Sequence, residues 1–227
     1  MNILMPTIFH PYTGGITYHV DNIIRHLIHL SPYNFHILNY HFQGELKKIP
    51  PNTWVHRVGY IKGIRGPTYT CMGYLLGKKV IEKYNIEIIH SHYAFPQGFL
   101  GALLSRKYRI PHVLTLHGSD VLLLSKHPLG RILFNYALKY CDRIICVSKY
   151  LKEQLPKEYQ DKSEVIYNGV DFKIFYDEGI DEDYGLFVGS FVPQKGLYTL
   201  IEAVKNIDFN FKFIGDEIGR ASCRERV

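Results

Sequence analysis

The stretch His112-Val-Leu-Thr-Leu-His-Gly-Ser-Asp120 decides the fold. Its first five residues suit a buried strand, and the four that follow, His117-Gly118-Ser119-Asp120, are the polar, glycine-containing punctuation of a strand end. The same arrangement stands near the start of the chain. There the apolar run Ile3 to Phe9 meets Pro11-Tyr12-Thr13-Gly14-Gly15, and a helical pattern follows. In an open parallel sheet, ligands bind in the crevice beyond the carboxyl ends of the strands. A histidine at one such end and paired glycines at another therefore predict a single pocket. Free amides before a helix make a phosphorylated ligand the expected guest.

The rest of the chain extends this alternation. After the first strand, Ile16, Val20, Ile23, Ile24, Leu27 and Ile28 share one helical face, which ends near Ser31-Pro32. Strands are expected over Phe35–Phe42, Thr53–Val58, Ile86–His90, Arg143–Val147 and Glu164–Tyr167. Helices are expected over 68–84, 98–108 and 129–140, with Ser148 capping a further one. Strands alternating with helices predict an α/β fold, a doubly wound parallel sheet of Rossmann-like type covered on both faces.

A boundary is expected after residue 176, where Asp177 to Asp183 is acidic and poor in apolar residues. The pattern then restarts with a strand at Gly185–Val188, a helix at Lys195–Lys205 and a strand at Phe209–Ile214. This is the first βαβ unit of a second Rossmann-like domain, and two strands are too few for independent stability. Residues 1–176 are thus read as one domain and 177–216 as a linker with an incomplete second one. Residues 217–227 resemble translated adaptor sequence and are expected to be non-native.

Composition narrows the function classes. The 227 residues are 46% hydrophobic and 21% charged, with a net charge of +6 and a pI near 9.0. That excess suits a phosphate-rich ligand or an anionic surface. Nucleic acid is excluded by the absence of a long Lys/Arg block, a recognition-helix pattern or a zinc-finger pattern. Cys71, Cys141, Cys146 and Cys223 form no CxxC and no disulfide framework, so reduced thiols and a cytoplasmic address are expected. With the first strand beginning almost at Met1, no signal peptide is expected, and no apolar run reaches the roughly 18 residues of a spanning helix. The chain is expected to be soluble or peripherally attached at the inner face of the cell membrane.

Several motifs carry alternatives. Gly14-Gly15 fits anion binding or a plain tight turn, and the full dinucleotide fingerprint GxGxxG is absent. His90-Ser91-His92 with His117 and Asp120 fits the zinc set of a metal-dependent hydrolase. Against this stands the expectation that His90 and His92 point to opposite sides of an extended segment. His117, beside a glycine that opens the backbone, is favoured as a group near the reacting centre. Asn168-Gly169 is a turn. Lys195, within Gly189–Gly196, is placed to meet a diphosphate. The segment from Lys47-Lys48 to Arg65 interleaves Trp54, Tyr60 and Ile61 with basic residues, as a surface for membrane or a lipid-linked acceptor would. His10, Tyr12 and Tyr18 flank the first loop and are expected to shape an acceptor pocket.

Six segments, in order, resemble the family 4 retaining glycosyltransferases of the GT-B fold. They are Pro11–Gly15, His90–Gly98, Leu114–Asp120, Cys141–Ser148, Val165–Asp171 and Phe187–Gly196. The resemblance implies an acceptor-binding N-terminal half, a donor-binding C-terminal half and sugar transfer from a nucleotide diphosphate-sugar to a glycan or lipid-linked acceptor. It further implies retained configuration, no required cofactor and no metal. It puts His117 at the donor sugar as the catalytic group. Gly14, Gly15, Gly189, Ser190 and Lys195 fall to donor binding, and His10, Tyr12, Tyr18, His92 and Asp120 to acceptor binding. Ser190 stands where members commonly carry arginine, and the Glu-x7-Glu segment that holds sugar and ribose in the family is expected further along than the segments matched here. The 227 residues alone are therefore expected to be inactive. The alternatives are a non-catalytic fragment that holds acceptor or phosphate, and the metal-dependent hydrolase.

Overall fold

A computed structural model describes residues 1–46, 49–177, 179 and 182–215. The chain divides into two compact units, Met1–Gly169 and the residues from Val170 onward. The division falls at Gly169, ahead of the boundary expected after Tyr176, and Asn168-Gly169, expected as a turn, is irregular chain without a turn or bend.

The first unit runs β1 (Asn2–Pro6), α1 (Gly15–Leu30), β2 (Asn34–Tyr40), β3 (Thr53–Val58), α2 (Arg65–Tyr84), β4 (Ile88–His92), α3 (Phe99–Tyr108) and β5 (His112–Leu116). It continues with the single turn α4 (Ser119–Leu122), α5 (Pro128–Lys139), β6 (Arg143–Cys146), the short α6 (Lys149–Glu153) and α7 (Lys157–Gln160), and β7 (Ser163–Val165). The strands form one seven-stranded sheet in the order β3-β2-β1-β4-β5-β6-β7, parallel at every pairing.

Alternation along β1 shows why the sheet is covered twice. Successive side chains of a strand face opposite ways. Ile3 and Met5 pack with Val20 and Ile24 of α1, whereas Leu4 packs with Val80 and Ile81 of α2 and with Leu100 and Leu104 of α3. Both faces are buried, so strands of this kind read as continuous apolar runs rather than alternating ones. A third cluster unites Leu114, Leu116, Phe134, Leu138, Ile144 and Cys146 beneath α5. The helices stop where the chain bends: α2 ends at Asn85 (φ 49°) and α3 at Arg109 (φ 57°), both in the left-handed region.

The first strand is shorter than its apolar run. It leaves the sheet at Pro6, although Phe9 is fully buried. The buried Asn39 carboxamide takes over from the ladder there. Its Oδ1 accepts from the Phe9 amide at 3.0 Å, and its Nδ2 donates to the carbonyls of Phe9 and His10 at 3.1 and 2.8 Å. Asn39 thus fixes the path of the loop toward Gly14.

Helix α3 lies close against β4 and β5, and Gly101 permits it. A Cβ there would stand 2.6 Å from His112 Nε2 and closer still to Ser91 Oγ, two atoms that are 2.9 Å apart and hydrogen-bonded. Overpacking of this kind costs about 1–3 kcal/mol, against roughly 1 kcal/mol gained in helix propensity. Gly101→Ala is expected to lower the urea midpoint of unfolding without changing the slope; an unchanged midpoint would contradict the close packing.

The second unit holds β8 (Gly185–Val188), α8 (Leu197–Val204) and β9 (Phe211–Ile214), the two strands pairing in parallel. The helix expected from Lys195 begins at Leu197, because Gly196 takes a left-handed φ of 68° as its cap. Lys195 instead ends a tight turn over Pro193–Lys195. Among the described residues no helix is long and apolar enough to cross a membrane. Cys71, Cys141 and Cys146 are free thiols, the last two buried. The expectations for 217–227, Cys223 included, lie outside the described residues.

Candidate functional site

β1 and β4 are neighbours, and their outgoing connections run to opposite sides, to β2 and to β5. Such a switch point opens a crevice beyond the strands' carboxyl ends. Helix α1 begins there. Gly14 and Gly15 are exposed, no side chain caps the helix and no acidic residue occupies its first turn. Nothing stands within 4 Å of where a Cβ would project from either glycine. The helix's first amides thus face open space, with the positive end of its dipole behind them.

His19 lies one helical turn beyond Gly15, on the same edge of α1. It meets two histidines from the strand ends across the switch. The His19 ring centroid is 5.1 Å from that of His117 and 5.5 Å from that of His92, and the latter two are 5.4 Å apart. His92 Nδ1 and His117 Nε2 approach to 3.2 Å, so one carries the proton and the other accepts it. The first turn of α1, which Gly15 begins, thus meets the β5 loop through the contact of His19 with His117. The sequence reading missed His19, whose signal was its i,i+4 spacing from Gly15.

Burial keeps this cluster neutral. It lowers the pKa of His19, and drives that of His117 down to about 3 with the neighbouring His19 and His90 adding to the effect. Fully buried His92 is pushed well below the usual histidine range by burial, then by His90, His117 and His19. Neutral imidazoles can donate and accept at once, which a cluster of imidazolium ions cannot.

The expectation that His90 and His92 face opposite ways is overturned. Two residues apart in one strand, they share a face, and their rings lie 4.4 Å apart. His90 Nε2 bonds Thr115 Oγ1 at 2.8 Å, and it is His19, not His90, whose ring nitrogen joins His92 and His117 in one close group.

Asp120 and His92 also change role. Asp120, expected at an acceptor, is fully buried. Its Oδ1 accepts from the amides of Gly118 at 2.9 Å, Val121 at 3.1 Å and His117 at 3.2 Å, and its Oδ2 from Ala94 at 3.2 Å. It staples the β5 loop to the segment after β4 and so positions His117. His92, likewise fully buried, supports His117 from behind rather than lining an open surface. Beside it Tyr93 holds φ 83°, a strained conformation for a non-glycine residue, and its hydroxyl meets Ser119 Oγ at 2.9 Å. Strain of this kind collects at functional sites, and the sequence carried no sign of it.

The acceptor candidates lie along the β1–β2–β3 side. His10 is half-buried, 3.5 Å from the Asp21 carboxylate, with the exposed Tyr18 ring 6.3 Å away. Tyr12 donates its hydroxyl to the His41 carbonyl at 2.7 Å. The Arg65 guanidinium sits over three rings, 3.7 Å from Tyr40, 4.9 Å from Tyr60 and 5.5 Å from Tyr12. Ile61 and Ile64 beside it are exposed, while Trp54 stacks on His36 at 5.1 Å. Lys47 and Lys48 lie outside the described residues.

In the second unit Gly189 and Ser190 follow β8, and Gly189 donates to the Ile214 carbonyl at 2.9 Å. The exposed Lys195 runs its side chain over Gly189, its Cδ 3.9 Å from where a Cβ would be. These three residues are gathered at one strand end.

Comparison with known proteins agrees with this architecture. The family model described as Glycosyltransferase Family 4 matches residues 13–173. An uncharacterized glycosyltransferase of Methanocaldococcus jannaschii is 52% identical over 218 residues, 95% of this chain and 60% of that protein. The N-acetyl-alpha-D-glucosaminyl L-malate synthase of Bacillus anthracis is 23% identical, covering 81% of this chain and 54% of that one. The chain thus spans little more than half the length of these curated relatives. Among solved structures, sucrose-phosphate synthase from Thermosynechococcus elongatus superposes with a TM-score of 0.81 at 18% identity, over 97% of this chain and 64% of that one. Anabaena HepE, solved in complex with UDP-glucose, gives 0.66 at 18% identity, over 96% and 62%. With its seven-stranded Rossmann-like sheet, the chain belongs to glycosyltransferase family 4, of the GT-B fold.

Proposed function

We propose that this chain belongs to an enzyme that moves a sugar from a nucleotide diphosphate-sugar to a glycan or lipid-linked acceptor, with retention of configuration and without a required metal. The observation that carries the reading is the convergence of the uncapped α1 amides with His117 at the β1–β4 switch. The amides of Gly14 and Gly15 suit the donor diphosphate, and His117 suits the donor sugar beside the acceptor. Gly189, Ser190 and Lys195, gathered at one strand end of the second unit, are assigned to donor binding, where the Lys195 cation suits a leaving diphosphate, whose developing charge is the dominant demand of such a transfer. The HepE structures in complex with UDP and with UDP-glucose support the donor class.

For the acceptor, Arg65 among three tyrosines offers a cation on an aromatic platform, and exposed Ile61 and Ile64 lie next to it. That combination favours an anionic, lipid-linked acceptor over a neutral soluble sugar, with peripheral contact at the inner face of the membrane. His10 and Tyr18 complete the acceptor side. The described part of the second unit has two strands, so these 227 residues alone are proposed to lack turnover.

The test is a panel of nucleotide diphosphate-sugars offered to the gene product carrying this sequence, with lipid extracts and free glycans as acceptors. Transfer from one donor, with the anomeric coupling in the product matching that of the donor, is expected. Inverted product, or hydrolysis without transfer across the whole panel, would contradict the reading.

A further inference from the structure

We infer that His19, His92 and His117 form a binding site for a borderline divalent cation, Zn²⁺ above all, where α1 meets the carboxyl ends of β4 and β5. The inference rests on the geometry of the three side chains and does not depend on the transfer reaction.

The geometry is close to that of a three-histidine centre. Zinc–nitrogen bonds of about 2.05 Å place each ring centroid roughly 3.2 Å from the metal, so tetrahedral ligands have centroids about 5.2 Å apart. The three observed separations are 5.1, 5.4 and 5.5 Å. One donor nitrogen from each ring lies within 4.8 Å of the others. Bound nitrogens would stand about 3.3 Å apart, and the 3.2 Å between His92 Nδ1 and His117 Nε2 already matches that. Closing the remaining gap falls to His19, which is only half-buried.

The pairing also says which nitrogens would bind: His92 Nδ1 and His117 Nε2 face each other, and the buried His92 Nε2, which has no hydrogen-bond partner, is turned away from them. The donor set also selects the metal. Three imidazoles with no carboxylate among them suit zinc, copper or nickel, whereas magnesium and calcium require oxygen. Three protein ligands leave the fourth position open, which is the arrangement of an exchangeable rather than a closed structural site. A cation there would occupy His117, so this site is inhibitory toward any chemistry that uses the free imidazole.

The experiment is calorimetric titration of ZnCl₂ into metal-free protein carrying no histidine tag, repeated with Co²⁺ to read its tetrahedral absorption bands. Wild type is compared with His19→Ala and with His56→Gln, the latter because His36 and His56 form a second close pair, 3.2 Å apart. Circular dichroism confirms that each variant is folded. One equivalent bound with a Kd below about 10 μM, weakened at least tenfold by His19→Ala and unaffected by His56→Gln, is the expected result. Binding weaker than that, unaltered by His19→Ala, or removed by His56→Gln would overturn the inference.

Discussion

Asp120→Ala is expected to destabilise the first unit by about 3 kcal/mol or more, the cost of stranding several buried donors at once. The carboxylate is fully buried and accepts from the amides of Ala94, His117, Gly118 and Val121. Alanine offers no acceptor, so each amide loses the partner it has in the folded protein. Burial raises the carboxyl pKa while those backbone bonds hold it down, and the bonds are the part an alanine removes. Asp120→Asn keeps the shape but directs an NH₂ toward donors, and most of the loss is expected to remain. Urea unfolding with the slope unchanged measures the effect. A loss under about 1 kcal/mol would show that the staple is not what orders the β5 loop.

The largest effect on activity is expected at His117. In the gene product carrying this sequence, His117→Ala should lower kcat/KM for sugar transfer about 10²–10³-fold, the usual loss of one preorganised group at a charge-developing centre. The side chain is half-buried and its hydrogen bond is to His92, so the fold should survive the change. The loss must persist in enzyme stripped of metal with a chelator, because the proposed transfer needs none. If chelation abolished the difference between wild type and variant, His117 would act through a bound cation rather than on the sugar. Together with the zinc titration, this separates the two roles of one residue.

The parallel sheet was readable because strands buried on both faces must be apolar throughout. All seven strands of the first unit overlap the segments expected for them, although β3 (Thr53–Val58) and β7 (Ser163–Val165), the two edge strands, are not apolar runs. Their ends were less readable. The run Ile3–Phe9 loses its last residues to the Asn39 clamp, a side chain thirty positions from Phe9. The helix expected from 68 begins at Arg65, and the one expected from Lys195 begins after Gly196. Local pattern cannot foresee a hydrogen bond from another strand.

The two loops were legible as a site because glycine pairs and a histidine at strand ends carry a chemical meaning wherever they occur. Asp120 was assigned to a ligand because an acidic residue in a polar loop ordinarily faces solvent. The structure turns it inward to the amides around it, and only coordinates reveal which way a carboxylate points.

The sequence by itself determined the layered α/β order, the two strand-end loops and the restart of the pattern after the acidic segment. These follow from periodicity, since each element must bury one side of itself whatever its neighbours are. Tertiary structure alone decided that β1 lies beside β4, and hence that His19 of α1 meets His92 and His117. Contacts between residues far apart in the chain depend on strand order and helix placement. That order is set by the packing of the whole sheet, and no local window of sequence contains it.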